Sequence, residues 1–171
     1  MQRVQVTYFE KTSDEDPERI TEETLKLAKK RGDELGIKSF VVASSTGFVA
    51  KKALALLADK GLVLVGEARD WYEKDFLREL ERKGVPILFS HDVKYSYPAD
   101  VQAAYRRMSE GAKVCPEIVM LASDGGLIPS GVEVMAVAGT GSGADTAMVI
   151  LSAKSKDFKE LKIREILCKP R

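Results

Sequence analysis

The stretch Ser39–Leu57 reads SFVVASSTGFVAKKALALL. Phe40-Val41-Val42-Ala43 is short, apolar and β-branched, the pattern of a buried strand. Ala50, Ala53, Leu54, Leu57 and Ala58 recur at helical spacing, the pattern of a helix with one face on a core. Ser44-Ser45-Thr46-Gly47 joins the two, so the segment predicts a strand–turn–helix unit. Such a turn gathers free backbone N–H groups and the positive end of the helix dipole. It is a natural anion site, supplemented by three hydroxyls and by a glycine that lets a phosphate approach the backbone. The same residues also suit a plain helix start, with Ser45 or Thr46 as the cap. Both readings stay open on this stretch alone.

Working outward, other segments repeat the alternation of strand and helix. Toward the N-terminus, Met1–Phe9 alternates around Val4, Val6 and Tyr8 as a strand would. Asp16-Pro17-Glu18 opens a helix with Asp as cap, and Ile20, Thr24, Leu27, Ala28 and Leu35 mark its inner face before Gly36. Toward the C-terminus, Leu62–Val65 reads as a strand. Asp70 and Glu73 form a capping box for a helix that carries Tyr72, Phe76 and Leu80 inward, with Trp71 in the core. Pro86–Phe89 is a third strand, Pro98 starts a helix with Val101, Ala104, Tyr105 and Met108 on one face, and Pro116–Ala122 is a further apolar helix. Val132–Ala138, Thr146–Ser152 and Leu161–Cys168 read as strands. The last of these lack intervening helices. The expected fold is a three-layer α/β/α domain spanning residues 1–171, with a mostly parallel sheet and an antiparallel edge strand.

Composition narrows the function. The 27 basic and 26 acidic residues leave a net charge of +1, which offers nothing to nucleic acid or to a membrane surface. No apolar run approaches the roughly 20 residues of a membrane span, and the start of the chain has no signal-peptide pattern. Two cysteines, Cys115 and Cys168, make neither a disulfide framework nor a metal cluster, and Cys115 reads as an apolar filler. The expectation is a cytoplasmic protein, with a homo-oligomer compatible with the sequence. The absence of Asn and the 31% of charged residues suit a heat-adapted protein.

In a sheet of this kind ligands bind beyond the carboxyl ends of the strands. Those ends carry Ser44–Gly47, Gly66–Arg69, Ser90–Asp92 and Gly139–Asp145. The cluster Gly139-Thr140-Gly141-Ser142-Gly143-Ala144-Asp145 has the letters of a dinucleotide fingerprint, but Met148–Leu151 after it reads as a strand where that motif needs a helix. It reads instead as a loop lying against a planar or sugar-like ligand, or as a hairpin turn. His91, the single histidine, stands at a strand end as a candidate proton donor or ligand contact, or as an ordinary rim histidine. Asp124 reads as a turn former. Lys51 and Lys52 read as a solvated helix face that could lend charge to a phosphate. There is no G-x-x-x-x-G-K-S/T phosphate loop.

Three of these segments resemble the C-terminal domain of pyruvate kinase. ASSTGFVAKKALAL (43–56) is similar to that domain's T-x-S-G-R-S/T-A loop and helix, GGLIPSGVEVMAVAG (125–139) to its approach to the fourth strand, and GTGSGADTAMVI (139–150) to the glycine loop that follows. YFEK (8–11), TEETLKLA (21–28) and GTGSGADTA resemble more nearly a stand-alone archaeal and bacterial family of the same fold. No stretch resembles the catalytic barrel, so kinase activity is not implied. In pyruvate kinase the two loops hold the two phosphates of a sugar bisphosphate. Here Phe48 stands where the first loop has arginine, and the tryptophan and arginine before the second loop are missing. The resemblance thus implies one phosphate and a larger neutral group. For the stand-alone family it implies flavin mononucleotide (FMN). The expected ligand-binding residues are Ser44, Ser45, Thr46, Gly47, Phe48, His91 and Gly139–Asp145, with Asp145 accepting from ligand hydroxyls. Two alternatives remain: a non-catalytic sensor of a phosphorylated sugar or nucleotide, and a flavin-dependent oxidoreductase with His91 as proton donor.

Overall fold

A computed structural model describes residues 4–171. Seven strands form one sheet: β1 (Thr7–Phe9), β2 (Ser39–Ala43), β3 (Gly61–Gly66), β4 (Ile87–Phe89), β5 (Glu133–Ala138), β6 (Thr146–Leu151) and β7 (Lys162–Pro170). Their order is β1-β7-β6-β5-β2-β3-β4. Strands β2 to β5 run parallel, β6 is antiparallel to both β5 and β7, and β1 pairs parallel with β7. The antiparallel pairing falls on the β1 side of the sheet, where β5, β6 and β7 follow one another without a crossover helix, as expected. The helices are α1 (Pro17–Leu35), α2 (Phe48–Leu56), α3 (Lys74–Arg82), α4 (Ala99–Arg106) and α5 (Glu110–Asp124).

Successive side chains of a strand face opposite ways, and here both ways are covered. Phe40, Val42, Leu62 and Leu64 pack with Leu25, Ala28, Val49, Ala53, Phe76 and Leu80 from α1, α2 and α3. Val41, Val63 and Val65 pack with Cys115, Ile118, Val119 and Ala122 from α5. This is why the strands read as continuous apolar runs: both their faces are interior.

Several local expectations change. The first strand is confined to Thr7–Phe9, and residues 1–3 lie outside the described residues. Asp16 pairs with Arg19 instead of capping its helix, and Leu35 is exposed. Asp70 and Glu73 make no capping box: a 3-10 turn, Arg69–Trp71, precedes α3, and Tyr72 is buried just before the helix. Trp71 is not core but 51% exposed, because that turn points it outward. Met108 lies past the end of α4 and is exposed. The apolar helix begins not at Pro116 but at Glu110, where the Ser109 hydroxyl accepts from the Ala112 amide.

Candidate functional site

Strands β2 and β5 are neighbours, with Phe40 opposite Met135 and Val42 opposite Val137. From β2 the chain continues toward β3; from β5 it turns back into β6 on the other side. The carboxyl ends of these two strands therefore flank the point where the sheet's winding diverges, where such folds open a crevice. A cleft of about 540 Å3 lies there. Its wall includes Ser44 and Ser45 after β2, Gly66 at the end of β3 and Glu67 after it, Ser90 and His91 after β4, Gly139, Gly141, Ser142 and Gly143 after β5, and one side of α5.

The three hydroxyls of the first turn have different roles. Ser44 is buried, and its Oγ accepts from the Ala50 amide at 3.1 Å, so it is Ser44, not Ser45 or Thr46, that satisfies the start of α2. Tyr72 Oη donates to the Ser44 carbonyl, fixing the turn from below. Gly47 has φ = 92°, a left-handed conformation, and the Tyr72 ring would lie 3.4 Å from a Cβ there. The positive φ is what requires glycine; the ring distance is ordinary van der Waals contact. Among the described residues, the backbone N–H groups of Ser45, Thr46 and Gly47 donate to no protein acceptor. Ser44 and Ser45 line the cleft; Thr46, Gly47 and Phe48 are outside its lining. Lys51 and Lys52 are engaged elsewhere, by Glu73 and Glu18.

The glycine loop closes the β5–β6 hairpin, and its glycines answer to the protein's own packing. A Cβ on Gly139 would fall 2.5 Å from Ala144 Cα, and one on Gly143 2.6 Å from Ser13 Cβ. Gly141 faces Asp14. Asp145 is 0% exposed and does not reach the cleft. Its Oδ2 accepts from the Ser13 amide at 3.0 Å, the Ser13 hydroxyl at 3.0 Å and the Thr140 amide at 3.2 Å; its Oδ1 accepts from Thr146 Oγ1 at 2.9 Å. The expected role of Asp145 as an acceptor for ligand hydroxyls is thereby corrected: it clasps the loop to the segment before α1. The Ala144 amide donates to Thr21 Oγ1 at 2.9 Å, so Ala144 belongs to the same clasp. Thr140 is likewise absent from the cleft wall, while Gly141 and Ser142 stand exposed at its lip.

His91 is exposed on the rim, its ring edge-on to Trp71 at 6.2 Å, with its backbone amide bonded to the Glu67 carbonyl. The side chains that sequence reading missed are on α5. Lys113 is only 9% exposed and pairs with Glu117 at 2.6 Å. Tyr95 Oη donates to the other oxygen of Glu117. Burial, reinforced by that carboxylate, pushes the Tyr95 phenol well above its usual pKa, so it stays a neutral donor. Glu67 and Glu110 add two more carboxylates to the wall. A signal existed: Lys113 and Glu117 are one helical turn apart in a helix otherwise apolar nearly all round. Such a helix is buried on most sides, so its charges must face something.

Among the described residues no group of His, Cys, Asp and Glu has the arrangement to hold a metal ion, and no helix is long and apolar enough to cross a membrane. The chain matches no known protein-family model. Among solved structures, it is similar to a pyruvate kinase from Cryptosporidium parvum at 16% identity over 78% of this chain, with a TM-score of 0.49. A structure of Cryptosporidium parvum pyruvate kinase in complex with ADP is similar at 15% identity over 78% of this chain, with a TM-score of 0.47. The chain spans 23% and 24% of the length of those two kinase chains.

Proposed function

We propose that the protein binds a small molecule carrying a single phosphate, with FMN as the ligand to test first. The observation that carries this reading is that the Ser44–Gly47 turn and the Gly139–Gly143 segment leave adjacent strands and border one cleft. The volume of about 540 Å3 is within the roughly 300–1,000 Å3 usual for small-molecule sites. Ser45, with its free amide and hydroxyl, offers donors to a phosphate. Val114, Ile118, Leu121 and Tyr95 offer an apolar wall for a flat ring. Glu67 and Glu110 offer carboxylate oxygens to the hydroxyls of a polyol chain, and Glu67 opposes a second phosphate, whereas Glu110 is paired with Arg106 at 3.0 Å. The residues present therefore fit FMN. Bound flavin would supply electron-transfer chemistry, while the residues named here do the binding.

Titration of the purified protein with FMN, followed by quenching of flavin fluorescence, tests the proposal. Saturable binding below high micromolar concentration is expected, and Ser45→Ala weakens it about tenfold, as for one hydrogen bond to a charged group. No quenching up to that concentration overturns the flavin reading. The same carboxylates favour a second reading, a sensor of a phosphorylated sugar; ligand-dependent association of the protein without flavin binding would select it. If the bound flavin turns over, His91→Ala separates the roles: retained binding with lost turnover makes His91 the proton donor, and an unchanged rate removes it.

A further inference from the structure

Lys113 presents an imbalance of donors. Its ammonium carries three N–H donors, and among the described residues Nζ has one acceptor, Glu117 Oε2 at 2.6 Å. Tyr95 spends its only O–H on Glu117 Oε1, so each oxygen of that carboxylate already accepts one bond. The Lys113 carbonyl accepts from Tyr97 Oη at 3.0 Å, which pins the backbone of this turn of α5. Lys113, Glu117 and Tyr95 all line the cleft, so the two remaining ammonium donors belong to its wall. A nearly buried cation with two unspent donors is costly unless an acceptor meets them. The charge of Lys113 is already neutralised by Glu117, so the missing partner need not be an anion.

We propose that Lys113 is the specificity-determining residue for the non-phosphate end of the ligand. It donates to carbonyl oxygens of a flat heterocycle, with Glu117 and Tyr95 holding its ammonium in place. The inference rests on the small-molecule reading above and deepens it. The site then has two ends: backbone amides and Ser45 for the phosphate, and a neutral lysine–glutamate pair for an acceptor-bearing ring. A second phosphate is disfavoured at the Lys113 end because Glu117 already neutralises the ammonium, Arg106 is paired with Glu110 at 3.0 Å, and Glu67 adds a further negative charge to the wall.

FMN and riboflavin, which share ring and polyol but differ by the phosphate, distinguish the two ends. Both are titrated into the parent protein, Lys113→Met, Lys113→Arg and the double variant Lys113→Met/Glu117→Met. The double variant removes the pair together and leaves no lone buried carboxylate, so it keeps the test valid if the single methionine variant unfolds. The expected result is an equal loss for the two flavins, about tenfold or more in both methionine variants, with partial recovery in Lys113→Arg. A loss confined to FMN puts the phosphate on Lys113 and overturns the inference while leaving flavin binding intact. Unchanged affinity for both flavins does the same, since the spare protons then face only water. If the parent protein binds neither flavin, the functional reading fails and takes this inference with it. If Lys113→Met weakens both flavins but the parent binds them equally well, the phosphate site fails and the Lys113 assignment stands.

Discussion

Replacing Asp145 by alanine tests whether this residue serves the fold or the ligand. The carboxylate is 0% exposed and accepts four hydrogen bonds, from Ser13 N–H, Ser13 O–H, Thr140 N–H and Thr146 O–H. The two hydroxyls can turn elsewhere: Ser13 Oγ also donates to the Thr140 carbonyl at 2.8 Å, and Thr146 Oγ1 lies 3.3 Å from Ser109 Oγ. The Thr140 amide retains Ser13 Oγ at 3.1 Å. The Ser13 amide has no substitute, and a buried donor left unpaired costs about 1–3 kcal/mol. The cavity and the weakened Thr140 bond add to this, while relief from burying a charge subtracts. The expected net loss is about 3 kcal/mol, a large fraction of a typical domain's stability. With a urea slope of roughly 2 kcal/mol/M, the unfolding midpoint falls by roughly 1.5 M. Asp145→Asn keeps an oxygen for Ser13 and Thr140 and loses only about 1 kcal/mol. Urea unfolding followed by circular dichroism reads both. If Asp145→Ala unfolds within 1 kcal/mol of the parent while ligand binding collapses, the structural assignment of Asp145 is refuted.

The same turn separates Ser44 from its neighbours. Ser44→Ala removes the acceptor of the Ala50 amide and costs about 1 kcal/mol, or a fall of about 2–4 °C in Tm for a chain of this size. Thr46→Ala stays within about 0.5 kcal/mol because Thr46 is exposed and its hydroxyl has no protein partner among the described residues; scanning calorimetry compares the two. Glu165 is bonded to Arg31 through both oxygens, which holds its pKa below the usual 4.5. Its stabilisation is present above the unfolded value and lost as pH falls through the lower folded one. The gap in urea midpoint between the parent and Glu165→Gln should thus be constant well above the ordinary glutamate value of 4.5 and shrink as pH falls below it. Burial drives the Cys168 thiol up to about 12 and the fully buried Cys115 thiol upward as well. Both should resist a thiol reagent at pH 8 and react only at the rate of unfolding; a faster native reaction would mean that either side chain reaches solvent.

Local signals carried the strand–turn–helix unit, because β2 and α2 are defined by residues next to one another in the chain. The glycine loop misled for the opposite reason. Its glycines are required by Ser13 and by their own hairpin, and Ser13 is 132 residues from Asp145. Spacing shows that close approach is needed but not to what. Trp71 sits beside the apolar Tyr72 and Phe76 and so reads as core, while the 3-10 turn that exposes it depends on where Tyr72 docks. Lys113 and Glu117 have the separation of an ordinary surface pair. Only the packing of α5 against β2, β5 and β6 shows that they form a wall and not a solvated face.

The clasp between Ser13 and Asp145 also sets an order of events. On a ribosome, Ser13 emerges long before its acceptor has been made, and closing so long a loop is entropically unfavourable until the strands between them are in place. The lip of the cleft is therefore shaped late, because Ser13 waits for an acceptor made 132 residues after it. Partly synthesised or partly unravelled chains lack this clasp, so the wall of the cleft is complete only when two distant parts of the chain have met.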